Sequence, residues 1–260
     1  MSGECGDMRN ADKEVAPYGS DYLSWKNWGN DNFGKLTKTD IAYYNAEIKR
    51  TDADVRGDCR ILEIGFGNGG FLRFARGKGW KISGTEVNEE LVKSAKEQGF
   101  NAIHCQDVAG FEDDAFDLVV AFDVIEHVAQ DQMYKFLLGI KRIVCDGGHV
   151  ILRFPNGDSP FGLPYQNGDI THVTVIGSGK AVFFAEKLNF ELVFLGGEAQ
   201  PIVGTRPIHF CHRIVAVPVK RLINFFVRNI FFPRSYVDFC ASNLTVIYKI
   251  RKERSSMTTR

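Results

Sequence analysis

The sequence predicts an α/β fold, a doubly wound and mostly parallel sheet of seven strands. Three observations predict it. From residue 60 to about 195, short apolar runs alternate with segments of helical period. The central runs, such as Phe116-Asp117-Leu118-Val119-Val120-Ala121-Phe122, are almost continuously apolar, as parallel strands buried on both faces are. The first run, Arg60-Ile61-Leu62-Glu63-Ile64, passes straight into Gly65-Phe66-Gly67-Asn68-Gly69-Gly70 and then into a helical segment. Strand, tight turn and helix form the opening unit of a nucleotide-type sheet. With 260 residues the chain has room for one large domain and an appendage.

In chain order, residues 1–57 read as an N-terminal tail and a lid. The polar tail runs to about residue 20. Tyr22, Trp25 and Trp28 then crowd into one stretch, and 41–48 has the period of an amphipathic helix, with Thr39 or Asp40 as its cap. Because it precedes the first strand, this segment is free to lie across the strands' C-terminal edge as a lid, or to cover the sheet. Tyr22, Lys26 and Trp28 are its candidate substrate contacts. Residues 58–198 form the core. Its strands are expected at 60–64, 80–87, 102–105, 116–123, 149–154 and 191–195. Helices are expected at 70–77, 89–98 (capped by Asn88 and stopped at Gly99), 131–144 and 177–188, with a turn at Gly147-Gly148. An insertion, 199–243, precedes the last strand, 244–250, and the basic tail that completes 244–260.

The net charge of zero hides an asymmetry. Residues 199–260 carry eleven Lys/Arg against Asp238 and Glu253, and no acid occurs from 199 through 237. Within the insertion, 219–232 has helical period. Lys220, Arg221, Asn224 and Arg228 share one face, and Leu222, Ile223, Phe226, Val227 and Ile230 the other. Such a helix either lies in an anionic membrane interface or docks its apolar face on its own domain or a partner protein. No nucleic-acid partner is expected. The N-terminus has no signal segment and no window is apolar enough to span a bilayer, so the expected location is cytoplasmic, with contact at the inner membrane face if the helix binds lipid. Six scattered cysteines without a C-x-x-C read as free thiols. His209, Cys211 and His212 lie close in sequence but lack a second ligand pair, and no metal site is expected.

Gly65, Gly67 and Gly70 fit the dinucleotide pattern G-x-G-x-x-G, while Gly65, Gly67 and Gly69 fit G-x-G-x-G. Glu63, two residues ahead of the loop, separates the two. It would repel a pyrophosphate, but it suits the ammonium and sulfonium of S-adenosyl-L-methionine, with Gly65, Phe66 and Gly67 along the methionine part. Glu86, at the end of strand two, is placed to bind both ribose hydroxyls. Asp107, past strand three, is placed for the adenine amino group. A Tyr22-x-x-x-Lys26 spacing also fits short-chain dehydrogenases, but that family keeps the pair downstream of its glycine loop.

The stretch Phe116-Asp117-Leu118-Val119-Val120-Ala121-Phe122-Asp123-Val124-Ile125-Glu126-His127-Val128 closely resembles the same region of class I S-adenosylmethionine-dependent methyltransferases. The first strand, Glu86, Asp107 and Gly147-Gly148-His149-Val150 match as well, and the resemblance covers about 58–195. It implies a Rossmann-like methyltransferase fold and extends the cofactor contacts to Gly69, Val87, Val108 and Phe122, with Asp123 at cofactor or substrate. Methyl transfer to a hydroxyl requires alignment and removal of a proton. His127 is one candidate base, and His172 the other. The latter ends a polar, Pro/Gly-punctuated loop at 153–172 that is similar to the loop of methyltransferases of bacterial surface-polysaccharide pathways. Arg153, Asn156, Asp158 and Tyr165 are its candidate substrate contacts, and Arg153 is expected to hold an acidic group of the acceptor or to pair with Asp158 or Asp169. The resemblance implies transfer of a methyl group to an oxygen of a sugar or glycan precursor. A methyltransferase of a small metabolite, quinone or lipid is the alternative, and a non-catalytic cofactor-binding module is the alternative of another class.

Overall fold

Strands β1 (Arg60–Ile64), β2 (Lys81–Glu86), β3 (Asn101–His104), β4 (Phe116–Phe122), β5 (Val144–Pro155), β6 (Phe190–Gly197) and β7 (Asn243–Ile250) form one sheet, in the order β3-β2-β1-β4-β5-β7-β6. Only β7 runs against its neighbours; it pairs antiparallel with both β5 and β6. This is a computed structural model, and it describes residues 19–252 apart from 54 and 56. The N-terminal tail through residue 18, with Cys5, and the basic end at 253–260 lie outside the described residues.

The central strands are buried on both faces. Ile61, Leu118, Val120 and Ile151 pack on one side with Phe71 and Phe74 of helix α3 (Gly70–Gly77). Leu62, Val119, Ala121 and Val150 pack on the other with Met133, Leu137 and Ile140 of helix α5 (Met133–Ile143). The period-2 split explains why these runs are apolar throughout. Each such side chain contributes roughly 1.5–3 kcal/mol of burial. Sequence order reverses at β1: the chain winds outward through β2 and β3, then crosses back to β4. A crevice opens where neighbouring crossovers diverge, at the C-terminal ends of β1 and β4.

Asn88 caps helix α4 (Glu89–Glu97) by accepting from the Leu91 N–H, and Gly99 ends it at φ +76°, both as the sequence predicts. Three details differ from expectation. Helix α2 (Lys38–Lys49) is capped by Thr37, whose hydroxyl accepts from the Asp40 N–H while Asp40 accepts from the Thr37 N–H. Thr39 is instead bonded to His209, at 3.0 Å. The glycines at 147 and 148 make no chain reversal; they form an irregularity inside β5, where the pairing with β4 shifts register. Helix α8 (Pro207–Phe231) starts well before 219. Pro207 stands at its first turn, where a missing N–H is harmless, and Pro218, one residue before the expected start, lies inside it.

Helix α8 also does not dock as a buried amphipath. Val217 is its one buried residue, whereas Leu222, Phe225, Phe226, Ile230 and Phe231 are exposed. It is tied down by polar contacts: Asn224 donates to Asp238 and accepts from the Cys240 N–H, and Arg213 donates to the Pro201 carbonyl. Helix α2 is fastened at Glu47, fully buried, which accepts from the Ala199 N–H and the Thr245 hydroxyl and pairs with Arg50. Among the described residues no helix is long and apolar enough to cross a membrane.

Candidate active site

A cavity of about 950 Å³ opens at the crevice and is lined from both sides. Its first wall is built from β1, β2 and the loop between β1 and α3. Gly65 and Gly67 have φ of +64° and +50°, conformations that L side chains rarely adopt. A Cβ on Gly67 would also stand 2.9 Å from the Trp28 ring. Glu86 accepts from the Gly67 N–H at 2.9 Å and from the Val87 and Asn88 N–H groups, so its carboxylate holds the loop against β2. Glu63 is buried, takes a hydrogen bond from the Leu72 backbone, and leaves Oε2 without a partner. Burial pushes the carboxyls of Glu63 and Glu86 above the usual range. An orphaned buried carboxylate oxygen beside glycine backbone fits a cationic group, as the ammonium of S-adenosylmethionine is.

The second wall comes from segments far apart in sequence. Helix α1 (Ser20–Lys26) and the residues after it supply Tyr22, Trp25, Lys26 and Trp28. The Lys26 ammonium lies 4.9 Å from the Trp25 ring centre and 5.8 Å from that of Trp28, and pairs with Asp169 at 2.7 Å. Tyr22 donates to the same carboxylate at 3.2 Å, and Thr171 donates to it twice. Those donors and Lys26 outweigh burial and hold the Asp169 carboxyl far below the usual range. Asp123, at φ +57°, sits at the exit of β4. Arg153 clamps it with two hydrogen bonds and donates to the Tyr43 hydroxyl at 3.0 Å. Arg153 thus pairs with Asp123 rather than with Asp158 or Asp169. The His127 and His172 rings meet edge to face at 4.6 Å, and burial lowers the pKa of His127, with His172 adding to the effect.

The cavity gathers Glu63, Gly65, Phe66, Gly67, Glu86, Val87, Asp107, Phe122, Asp123, His127, Arg153, Tyr165 and His172, together with the three α1-side residues Tyr22, Lys26 and Trp28. Four predicted residues lie outside that lining. Gly69 is the N-cap of α3 under the Phe33 ring. Val108 packs in the core beside α5. Asn156, fully buried, donates to the Asp238 and Ala241 carbonyls. Asp158 accepts from Ser178 at the start of helix α7 (Ser178–Lys187). Sequence reasoning missed Asp169 as a hub, and it missed Glu126, whose burial no local pattern reveals. The spacing Asp169-x-Thr171-His172 was the available signal.

The family model described as a methyltransferase domain matches residues 62–152. No curated protein matches the sequence. Among solved structures, the chain is similar to a S-adenosylmethionine-dependent methyltransferase from Archaeoglobus fulgidus, at 20% identity and TM-score 0.62 over 88% of this chain and 99% of that one. It is similar to the Haloferax volcanii complex of the Trm112 methyltransferase activator with a methyltransferase, at 14% identity and TM-score 0.58 over 90% and 97%. It is also similar to the [4+2]-cyclase SpnF, at 16% identity and TM-score 0.56 over 87% and 86%. The domain match over residues 62–152 and the fold support S-adenosylmethionine-dependent methyl transfer, with S-adenosylmethionine as the cofactor.

Proposed function

We propose that the methyl acceptor is an oxygen of a sugar or glycan precursor. The observation that carries this reading is the wall around Asp169. There a carboxylate, an ammonium, a phenol and a threonine hydroxyl stand beside the indoles of Trp25 and Trp28. Hydroxyl-rich rings need alternating donors and acceptors for their hydroxyls and flat apolar faces for their C–H surfaces. The charged pair Asp123–Arg153 adds an anchor at the end of β4.

When bound, S-adenosylmethionine supplies an activated methyl group, which the acceptor oxygen takes while the S–C electron pair stays on sulfur. Glu63 and the glycine loop hold the cofactor's cationic end, Glu86 and Val87 its ribose, and Asp107 its adenine. Phe122 forms an aromatic floor with Tyr43 and Tyr44. The acceptor hydroxyl loses its proton at the His127–His172 pair, with Asp123 in the lining of the same cavity. Mass spectrometry of surface glycans and small metabolites from a deletion strain tests this. A methyl group missing from a glycan supports it; one missing from a quinone, lipid or other metabolite overturns it. Tight cofactor binding with no turnover on any acceptor would instead mark a binding module.

Helix α8 supports a peripheral membrane contact. It joins β6 to β7 at the edge of the sheet where the cavity opens, its apolar residues are exposed, and it carries no acid. A basic helix of this kind lies in an anionic interface, which would bring a lipid-linked acceptor to the cavity. Co-sedimentation with phosphatidylglycerol vesicles at low salt is the test, and a protein that stays in the supernatant removes the idea.

A further inference from the structure

Glu126 sits in the 3-10 turn Ile125–His127 just past β4 and is fully buried. Neither of its carboxylate oxygens has a hydrogen-bond partner from another described residue. His172 Nε2 is 3.8 Å from Oε1, beyond a hydrogen bond. Native proteins rarely leave such a group unserved, and this one faces the cavity.

The two imidazoles beside it are oriented alike. His127 Nδ1 lies 3.2 Å from the Thr171 carbonyl, and His172 Nδ1 lies 3.2 Å from the Gln166 carbonyl. A carbonyl only accepts, so in each ring Nδ1 carries the hydrogen. The neutral ring then presents its lone pair at Nε2. Metal-binding histidines show this arrangement, with the second nitrogen donated to a backbone carbonyl. One donor atom from each of Glu126, His127 and His172 lies within 4.8 Å of the others. Asp169 Oδ2 is a further 3.8 Å from His172 Nε2.

We infer that Glu126, His127 and His172 bind a divalent first-row transition metal. Two imidazoles and one carboxylate suit Zn²⁺, Mn²⁺, Fe²⁺ or Co²⁺, whereas Ca²⁺ and Mg²⁺ favour all-oxygen sets. Three protein ligands leave coordination positions open, and these face the cavity. A hydroxyl oxygen in such a position is acidified: its O–H bond breaks, the proton passes to water, and the oxygen keeps the electron pair that forms the new O–C bond. His127 and His172 then serve as ligands rather than as the base. That use rests on the oxygen-acceptor reading; the binding of the metal does not.

The test takes the full chain, treated with chelator and saturated with S-adenosylhomocysteine. Mn²⁺ binding is followed by loss of the free-ion paramagnetic resonance signal, and Zn²⁺ binding by competition with a chromophoric chelator. One equivalent is expected to bind, and Glu126→Gln and His172→Gln should each weaken it at least ~10-fold. The wild-type titration needs no variant to fold. If the wild-type chain binds no equivalent, or if both variants bind as tightly as it does, the inference is overturned. A metal-loaded chain that methylates no glycan would defeat the acceptor reading and leave the site standing. A chelated chain that methylates a glycan at full rate would do the reverse for the metal's role.

Discussion

The two walls of the cavity are built on different principles. The wall proposed for the cofactor is made of backbone: Gly65 and Gly67 in left-handed conformations, and Glu86 locked by the N–H groups of Gly67, Val87 and Asn88. The wall proposed for the acceptor is made of side chains that meet only after folding. Lys26 reaches Asp169, and Arg153 reaches Asp123, across more than a hundred residues in the first case. Backbone geometry tolerates little change, so the cofactor wall is fixed in shape. Side-chain clusters can be exchanged one member at a time, so the acceptor wall is where specificity is free to vary.

The sharpest way to break the contrast is to alter the loop itself. Gly67→Val adds strain at φ +50° and a clash with Trp28. Together these should cost about 3 kcal/mol, a loss of roughly 100-fold in cofactor affinity by calorimetry; Glu86→Ala should act in the same direction. On the other wall, His172→Ala should lower turnover by about 10²–10⁴-fold with the cofactor Kd unchanged. Retained turnover would remove His172 from the chemistry. Next in size, Lys26→Met should raise KM for the acceptor by about 10-fold, the worth of one charge-assisted contact of about 1.4 kcal/mol, again sparing the cofactor. If Lys26→Met weakened cofactor binding as much, the two walls would not be separable.

Two further changes touch neither wall and serve as controls. Thr37→Ala removes a helix cap and should cost about 1 kcal/mol, lowering Tm by roughly 2–4 °C without changing either affinity. Asp117 is held by Arg60, whose hydrogen bonds lower its carboxyl pKa to about 2 from 3.8. Its folded pKa is depressed, so its contribution is present above pH 3.8 and fades as pH falls through about 2. Asp117→Asn should therefore lower denaturation midpoints at neutral pH and converge on the wild type at the acid end.

The same difference decides what the sequence could reveal. Glu63, the glycines and Glu86 act through short spacings, and the alternation of strands with helices is a local pattern; all were legible. Glu126 stands in a local motif, but its burial depends on the distant segment at 173–174, whose N–H groups bond its backbone carbonyl at 3.0 Å. Arg153 had two acids as expected partners, Asp158 and Asp169, and folding pairs it instead with Asp123 and, at 3.9 Å, Glu198. The start of α8 was missed because Pro218 reads as a breaker, yet the helix carries it in its middle. The cap of α2 was misplaced because three candidate residues crowd the entry and only backbone geometry selects Thr37.

The excursion that contains α8 leaves β6 at Gly197 and re-enters β7 opposite it, at Leu244. The Glu198 N–H closes the gap by donating to the Asn243 carbonyl at 3.1 Å. Its two stumps therefore already form a hairpin. The contacts that anchor the return, from Asn156 to Asp238 and Ala241 and from Ser159 to Phe239, belong to its last few residues. Between them, the excursion is also tied to α2 at Thr39, which bonds His209 and the Arg206 N–H. A short turn in place of 202–235 should leave the strand order intact, and another helix of similar span could be grafted there to deliver the same catalytic core to a different surface.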